Sequence, residues 1–244
     1  MTRTLLVISI LAACATRRGH CEEDHKHGVF PVLPELTVGE PVKTAPKIVG
    51  TLDDPIWKTA ATAELSRTET GAKANGRAKI YLAQDETTLF VAVECFEDEK
   101  NLATLKSEAT AEHPDKIWTD DSIEVFLDPA NTRDSYYQIA VNPKGFHWEA
   151  YYDLPKISDK PWKPELKAAA TIGKESWIVT LAIPMAALNR TDSLKSEWAF
   201  NVIHTRTAAN ELLYWSPTFE STSHRPEKFG RIKGLLFSGA AKPK

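Results

Sequence analysis

From Lys47 onward, hydrophobic residues recur mostly at every second position, which is the spacing of a β-strand. In the segment Asp121–Asp128, for example, Ile123, Val125 and Leu127 lie on one side of the predicted strand. The same pattern predicts about ten short strands: Arg77–Ala83, Thr88–Phe96, Asp121–Asp128, Ser135–Asn142, Phe146–Asp153, Lys167–Ile172, Ser176–Ile183, Trp198–Arg206, Glu211–Trp215 and Phe229–Phe237.

Turns, and not crossover helices, connect the predicted strands. Residues 142–145, Asn-Pro-Lys-Gly, have the composition of a tight turn, and residues 173–175 separate another pair of strands. Helix is predicted only in short turns near Pro55–Ala61 and Pro184–Leu188. This arrangement indicates an all-β fold, an antiparallel β-sandwich formed by one domain over residues 47–244.

The amino-terminal residues have the features of an export signal. Residues 1–14 combine Arg3 with an apolar run too short to cross a membrane. The run ends in Leu-Ala-Ala-Cys, which is similar to a bacterial lipobox with Cys14 as the lipidated residue; cleavage a few residues later by an ordinary signal peptidase is the alternative. Residues 15–46 are polar and proline-spaced, which is typical of a linker. The predicted location is therefore the periplasm or cell surface as a lipoprotein, or else secretion, with membrane contact only through that lipid.

Composition excludes several classes of function. The chain is 42% hydrophobic and 26% charged, unlike disordered or collagen-like proteins. Its 30 Lys and Arg against 33 Asp and Glu leave a net charge of −3 without a basic block, so nucleic acid is not expected as a partner. Three cysteines without a CxxC pair predict neither a disulfide framework nor a structural zinc site.

Aromatic residues give the first indication of function. Seven Trp and six Tyr are many for 244 residues, and indole rings stack well on the C–H face of a sugar ring. Trp118 and Trp215 stand where predicted strands meet loops, and no apolar periodicity includes them. Sugar hydroxyls also need polar partners. By period-two counting, Glu124, Gln138 and Asn142 share one sheet face and are candidates for that role.

Three segments then resemble family 9 carbohydrate-binding modules. Leu52–Trp57 looks like the family's opening signature, Trp118–Asp128 is similar to its core motif, and Trp215-Ser-Pro followed by Pro226–Gly230 fits its closing stretch. The resemblance spans about Lys47 to Leu236 in the right order. It implies a β-sandwich of the wider DOMON-like group, with a jelly-roll or immunoglobulin-like arrangement, and non-catalytic binding of polysaccharide or oligosaccharide in support of polysaccharide degradation.

The resemblance also assigns roles to residues. It places the two tryptophans that sandwich the sugar at Trp118 and Trp215, with polar contacts at Glu124 and Asn142. The family's better-known sugar binders have an arginine two residues before that asparagine, where this chain has Ala140. Alanine cannot replace the bidentate hydrogen bonds of arginine, so Tyr137, Tyr151 and His147 are alternative contacts.

Calcium is the cofactor that the resemblance implies. Oxygen-rich acidic segments suit this cation, and the expected ligands are Asp120, Asp121 and Asp128. No other cofactor is predicted.

Three other functions stay open at this point. A glycoside hydrolase would need two carboxyl groups across the scissile bond, whereas the acids here crowd into one segment. Binding of haem or another small ligand occurs in some DOMON-like domains, but the histidines show no recognisable ligand spacing. A structural or protein-binding role is the third alternative, because a sandwich fold does not fix function.

Overall fold

The computed structural model describes residues 32–154, 156–188 and 196–236, with residues 156–161 described by their backbone alone. Thirteen strands lie in this part of the chain. They are β1 (Glu35–Thr37), β2 (Ala61–Arg67), β3 (Lys73–Gln84), β4 (Thr88–Phe96), β5 (Ser122–Asp128), β6 (Ser135–Val141), β7 (His147–Asp153), β8 (Lys156–Pro161), β9 (Lys167–Ile172), β10 (Ser176–Pro184), β11 (Glu197–Arg206), β12 (Glu211–Tyr214) and β13 (Gly230–Lys233).

Helices are few and short in the described residues. The α-helices are α1 (Ile56–Thr59) and α2 (Glu99–Ala103), and the 3₁₀ helices are Pro114–Thr119, Met185–Leu188 and Pro226–Lys228. No helix among the described residues is long and apolar enough to cross a membrane.

The strands form a sheet that folds over into two layers. Its order is β8-β7-β6-β5-β11-β12-β2-β3-β4-β10-β9, and β13 adds to β11 and pairs with β1. Neighbouring strands are antiparallel except β1 and β13, which are parallel. A single residue pair, Tyr214 with Arg67, joins β12 to β2 and so links the two layers. The predicted antiparallel β-sandwich is thereby confirmed.

The main hydrophobic core lies between the two layers. Alternate residues of β5, Ile123, Val125 and Leu127, are fully buried there. They pack in one cluster with residues of the other layer, among them Ile80 and Val93. Burying the apolar half of each strand supplies most of the stabilisation, at about 25 cal/mol per Å² of apolar surface.

A second face of the sheet is also covered. We call it the outer face: the side of β7, β6, β5, β11 and β12 that points away from the core between the layers. Phe126 of β5 packs there against Phe229 at 5.3 Å between ring centroids. The Pro114–Thr119 helix covers another part through Ile117, which contacts Ala140. Both faces of this layer therefore carry apolar residues. For these strands, the alternation of hydrophobic and polar residues in the sequence does not show which face points to the core.

Most predicted strands are confirmed, including the hairpins β3–β4 and β9–β10. The predicted turn between β6 and β7 forms as well: Gly145 has a positive φ of 79° and donates from its backbone to the Asn142 carbonyl at 2.9 Å. Strands β1, β2 and β8 were not predicted. In β2 the alternating residues are mainly alanine, whose hydrophobic signal is weak.

The boundary of the folded region differs from the expected one. Glu35–Thr37 pairs with β13 inside the segment predicted to be a linker, and Val38 is buried beside it. A strand of three residues between prolines is too short to show periodicity, so the sequence pattern missed it. The predicted signal, its Cys14 and the first part of the linker lie outside the described residues and stay predictions.

Candidate binding site

One row of side chains crosses the outer face. Strand register aligns the residues of five neighbouring strands, so their side chains point to the same side. In order from β7 to β12 the row consists of Trp148, Ala140, Glu124, Ile203 and Tyr214. The row therefore has an aromatic residue at each end and a carboxyl group in its middle.

Trp118 stands above this row on the Pro114–Thr119 helix. Pro114 opens the helix, where a missing N–H costs nothing. Ile117 is fully buried, whereas the next residue, Trp118, keeps 47% of its surface exposed. Its indole meets Trp148 edge to face, with ring centroids 4.7 Å apart. This contact fixes the orientation of an indole that would otherwise be free in solvent.

The residues just after the helix hold it against the sheet. Asp120 is fully buried and accepts hydrogen bonds from the backbone N–H groups of Glu108 and Ala109, at 2.7 and 2.9 Å. The Asn142 amide donates to the same carboxylate at 3.0 Å. Within Trp118–Asp120, the buried and hydrogen-bonded Asp120 therefore holds the exposed Trp118 in position.

Two open clefts meet at Trp118. The first, of about 410 Å³, we call the His224 cleft; it is lined by Pro114, Asp115, Trp118, Trp148, Tyr152 and His224. The second, of about 750 Å³, we call the Glu211 cleft; its lining includes Asn75, Trp118, Arg206, Glu211, Tyr214 and Ser221. Both volumes lie in the range of about 300–1,000 Å³ typical of ligand sites. Together the two clefts form what we call the groove.

An aromatic stack supports the His224 cleft from below. Tyr152 and Tyr136 are nearly parallel, with ring centroids 5.0 Å apart. The Tyr136 hydroxyl lies 2.6 Å from His224 Nδ1. Burial lowers the pKa of His224 below its ordinary value, so the neutral imidazole presents an uncharged ring to the cleft.

A buried ion triad supports the Glu211 cleft. The Arg206 guanidinium makes two hydrogen bonds to Glu97, at 2.5 and 2.6 Å, and one to Glu211 at 2.5 Å. Glu211 also accepts from the backbone N–H groups of Asn75 and Gly76, at 2.7 and 3.0 Å. The triad thereby ties β12 to β3 and to the end of β4.

The middle of the row carries an acid with a shifted pKa. Burial raises the pKa of Glu124 to about 7, and the hydrogen bond from Gln138 Nε2, 2.6 Å from the carboxylate, opposes the rise. Gln138 is itself fully buried. The sequence expected Gln138 to contact sugar, but its side chain lies below the surface and positions Glu124.

A pH experiment tests this environment. Because the folded-state pKa of Glu124 lies above the ordinary 4.5, its contribution to stability is complete below pH 4.5 and is lost as pH rises through 7. The contribution of Glu124 to the free energy of unfolding should therefore fall by about 3 kcal/mol between pH 4.5 and 8, and this fall should be absent from Glu124→Gln. Urea unfolding across that range measures it. Glu64→Gln, at an exposed carboxyl, serves as control; equal pH profiles for wild type and Glu124→Gln would contradict the assignment.

Trp215 is not where the sandwich prediction requires it. Its ring is 7% exposed and packs against Phe200 in the core between the layers, 5.5 Å between centroids. A Cβ on Gly230 would lie 2.5 Å from the Trp215 ring, so the backbone itself closes over the indole. The structure thus does not bring Trp118 and Trp215 together, and the expected two-tryptophan clamp is wrong in its second member.

Asn142 also serves the fold. It is fully buried, and its side-chain oxygen accepts from the backbone N–H groups of Lys144 and Phe146, both at 3.1 Å. The predicted sugar contact at this position is replaced by closure of the β6–β7 turn. The alternative contacts Tyr137 and Tyr151 pack in the core between the layers, and His147 pairs with Glu149 at 3.9 Å.

Sequence reasoning missed Trp148, Tyr152 and His224. The signal for the first two was present, because Trp148, Ala150 and Tyr152 alternate along β7. That strand carries aromatic residues on both faces, so alternation could not tell which set faces the groove. His224 comes from a loop, where no periodicity exists.

Comparison with known proteins assigns the chain to a family. The family described as "Carbohydrate family 9 binding domain-like" matches residues 48–234, well over half of the chain. The chain belongs to this family. It is also similar to endo-1,4-beta-xylanase A of Thermotoga neapolitana, with 26% identity over 200 residues. That match covers 77% of this chain and 17% of the xylanase, so the chain corresponds to a small part of the enzyme.

Solved structures share the fold. A carbohydrate-binding module of family 9 from Caldicellulosiruptor kristjanssonii, in complex with glucose, aligns with a TM-score of 0.59 and 19% identity, covering 86% of this chain and all of that one. A module from the same organism in complex with cellotriose aligns with a TM-score of 0.58 and 18% identity, covering 86% of this chain and 96% of that one. At these identities the likeness establishes the common architecture.

This family 9 chain departs from the expected arginine at Ala140, and the structure shows the consequence. Ala140 is fully buried beneath Ile117 and is contacted by Phe146 and Trp148. An arginine here would displace Ile117, because the short alanine side chain is what lets the helix settle on the sheet. The row is therefore apolar and covered by the helix on the Ala140 side of Glu124.

The three aspartates proposed for calcium do not fit one ion. Asp121 immediately precedes β5 and Asp128 ends it, so the two lie about 23 Å apart at about 3.3 Å per residue. Asp120 and Asp121 use their carboxylate oxygens to accept backbone N–H groups, including those of Glu108, Lys106 and Thr207. The described residues hold no group of three or more His, Cys, Asp or Glu suited to a metal.

Proposed function

We propose that this family 9 chain binds carbohydrate in the groove without transforming it. The exposed Trp118, held edge to face against Trp148 where it lines both open clefts, is the observation that carries the proposal. Family membership and the glucose and cellotriose complexes of proteins with the same fold support it.

Chemically, the groove offers both kinds of contact that a sugar needs. Trp118, Trp148 and Tyr152 supply flat apolar surface for the C–H faces of a ring. Glu211 and Asn75 supply polar atoms along the other cleft. Glu124 lies between Ala140 and Ile203 in the row, and a contact from its carboxyl to a sugar hydroxyl stays part of the proposal.

Export and attachment through a lipid on Cys14 remain part of the proposal. They rest on the sequence of residues 1–14 and place the groove outside the cytoplasm, where polysaccharide is found. An assisting role beside a degrading enzyme is likewise proposed, with the similarity to part of a xylanase in its support.

Removing the aromatic platform tests the proposal. Trp118→Ala and Trp148→Ala should each weaken binding of cellotriose or xylotriose by roughly tenfold to a hundredfold, because truncating a central tryptophan costs about 2 kcal/mol or more. Isothermal titration measures the affinities, and thermal unfolding checks that the fold persists.

Ile172→Ala is the matched control. Ile172 is 48% exposed, close to the 47% of Trp118, but lies on β9 at the far edge of the other layer. Its replacement should leave the affinity unchanged. Wild-type protein that ignores a broad saccharide panel, or a Trp118→Ala variant that binds as wild type does, would refute the proposed function.

A further inference from the structure

The ring of His224 is held by three aromatic rings of the outer face. Its centroid lies 4.9 Å from that of Tyr152, and 6.0 Å from those of Phe126 and Tyr136. The three residues belong to neighbouring strands, β7, β5 and β6. The plane of the imidazole is therefore determined by the sheet, although residue 224 itself belongs to a loop.

The backbone on both sides of His224 is held as well. The backbone N–H of His224 donates to Thr222 Oγ1 at 3.2 Å. Further along the chain, Arg133 Nη1 donates to the carbonyl oxygens of Pro226 and Phe229, at 3.0 and 2.6 Å. These contacts come from the protein alone, so the ring reaches its position without a ligand.

One nitrogen of the ring is used inside the protein. The hydroxyl of Tyr136 lies 2.6 Å from His224 Nδ1. Tyr136 is fully buried, and its hydroxyl has no other hydrogen-bond partner among the described residues. A buried O–H without an acceptor costs free energy, so the hydroxyl donates to Nδ1. Nδ1 is then an acceptor and carries no hydrogen.

The hydrogen of the ring therefore lies on Nε2. A neutral imidazole has one N–H, and the hydrogen bond at one nitrogen decides which of the two carries it. Burial lowers the pKa of His224 below its ordinary value, so the ring is neutral at pH 7. Within the described residues Nε2 has no hydrogen-bond partner, and it remains accessible to solvent. Because His224 lines its cleft, this N–H is available to a ligand there.

We infer that Tyr136 fixes the tautomer of His224, so that Nε2–H donates a hydrogen bond to an oxygen atom of the saccharide in the His224 cleft. The inference rests on the proposed function and adds two roles. His224 contacts the ligand, and Tyr136 is a positioning residue that acts through His224. Aromatic surface alone distinguishes poorly between arrangements of hydroxyl groups, whereas a fixed donor selects among them.

The tautomer can be tested without a ligand. In full-length protein with ¹⁵N-labelled histidine, NMR correlation spectra at pH 7 distinguish a protonated ring nitrogen from a bare one, and His224→Gln identifies the signals of residue 224. We expect a protonated Nε2 and a bare Nδ1. Tyr136→Phe should shift the Nδ1 resonance because it removes the donor. Tyr137→Phe makes the same change at the next residue, which packs in the core between the layers, and should leave the resonance in place.

Affinities for cellotriose and xylotriose test the contact with the ligand. His224→Phe keeps a flat ring without a donor and should weaken binding about tenfold. His224→Gln supplies an acceptor for Tyr136 and an N–H donor, so its affinity should stay within about threefold of wild type. Tyr136→Phe should weaken binding about threefold, because Nδ1 loses the partner that keeps the hydrogen on Nε2. Tyr137→Phe should bind as wild type does. Isothermal titration measures the affinities, and thermal unfolding checks each variant.

The outcomes separate this inference from the proposed function. A hydrogen on Nδ1 in the free wild-type protein, or an Nδ1 resonance unchanged in Tyr136→Phe, overturns the tautomer and leaves carbohydrate binding intact. Wild-type affinity in His224→Phe overturns the contact with the ligand, again without affecting the function. The wild-type spectrum decides the tautomer even where a Tyr136 variant is unstable. Absence of binding to every saccharide tested overturns the function and, with it, the contact from Nε2.

Discussion

Replacing Arg206 with alanine is expected to lower the free energy of unfolding by about 3–5 kcal/mol, because removing one partner of a buried ion pair leaves the other charge uncompensated. The Glu97 side chain is 3% exposed and Glu211 10%, so the variant leaves two carboxylates shielded from water without their counter-charge. Urea unfolding at pH 7, with saccharide titration of the same sample, measures the effect on stability and on the Glu211 cleft.

Arg231→Ala provides the control. Arg231 also pairs with two acids, Glu35 and Glu197, but 39% of its side chain is exposed. Exposed pairs contribute about 0–1 kcal/mol, so the control should change stability little. If Arg206→Ala lowers the free energy of unfolding no more than Arg231→Ala does, water reaches the triad and the enclosed geometry is wrong.

Gly76→Ala probes the same packing, because its Cβ would lie 2.5 Å from the Arg206 guanidinium.

The layers of the fold followed from sequence because burial in a sandwich has period two. Val91 and Val93 of β4, or Val179 and Leu181 of β10, alternate against a core that accepts side chains from one side. Strand β1 was not predicted because three residues between prolines show no periodicity. Its position depends on pairing with β13, which lies about 200 residues later in the chain.

The site was predictable in part. Trp118 and Glu124 sit in a local motif whose residues remain close in space, and the structure leaves Trp118 exposed above the row that contains Glu124. The face of Trp215 was predicted wrongly because Trp215 directly follows Tyr214. Neighbouring residues in an extended chain point to opposite faces, so Tyr214 points to the outer face and Trp215 to the core. Because both faces of this layer are covered by apolar residues, hydrophobicity alone does not indicate which of Tyr214 and Trp215 points to the core.

The remaining walls of the groove depend on tertiary contacts. His224 reaches its cleft through a loop and is held by Tyr136, 88 residues earlier in the chain. The position of the Pro114–Thr119 helix depends on a small residue at Ala140 and on the anchor at Asp120. Neither contact has a local signature, so the cleft lining could not be read from one sequence.

Acidification should destabilise this protein through His204. The ring is fully buried, and neither nitrogen has a hydrogen-bond partner among the described residues. Burial lowers its pKa from 6.5 to about 3, so the folded state keeps the neutral ring while the unfolded chain takes up a proton below pH 6.5. The contribution to stability is thus present above pH 6.5 and falls by about 5 kcal/mol as pH drops through 3.

Comparison of wild type with His204→Leu isolates this contribution. Burial raises the pKa of Glu124, Asp121, Asp128 and Glu149, so their protonation stabilises the folded protein on acidification and partly masks the effect of the histidine in the wild-type profile. The difference between the two proteins, from urea unfolding between pH 7 and 4, removes that background because both retain the acids. It should change by about 1.4 kcal/mol per pH unit below 6.5. His113→Gln, at an exposed histidine, should reproduce the wild-type slope. A parallel pair of profiles for wild type and His204→Leu would mean that His204 finds a partner or solvent, because an enclosed unpartnered imidazole must resist protonation.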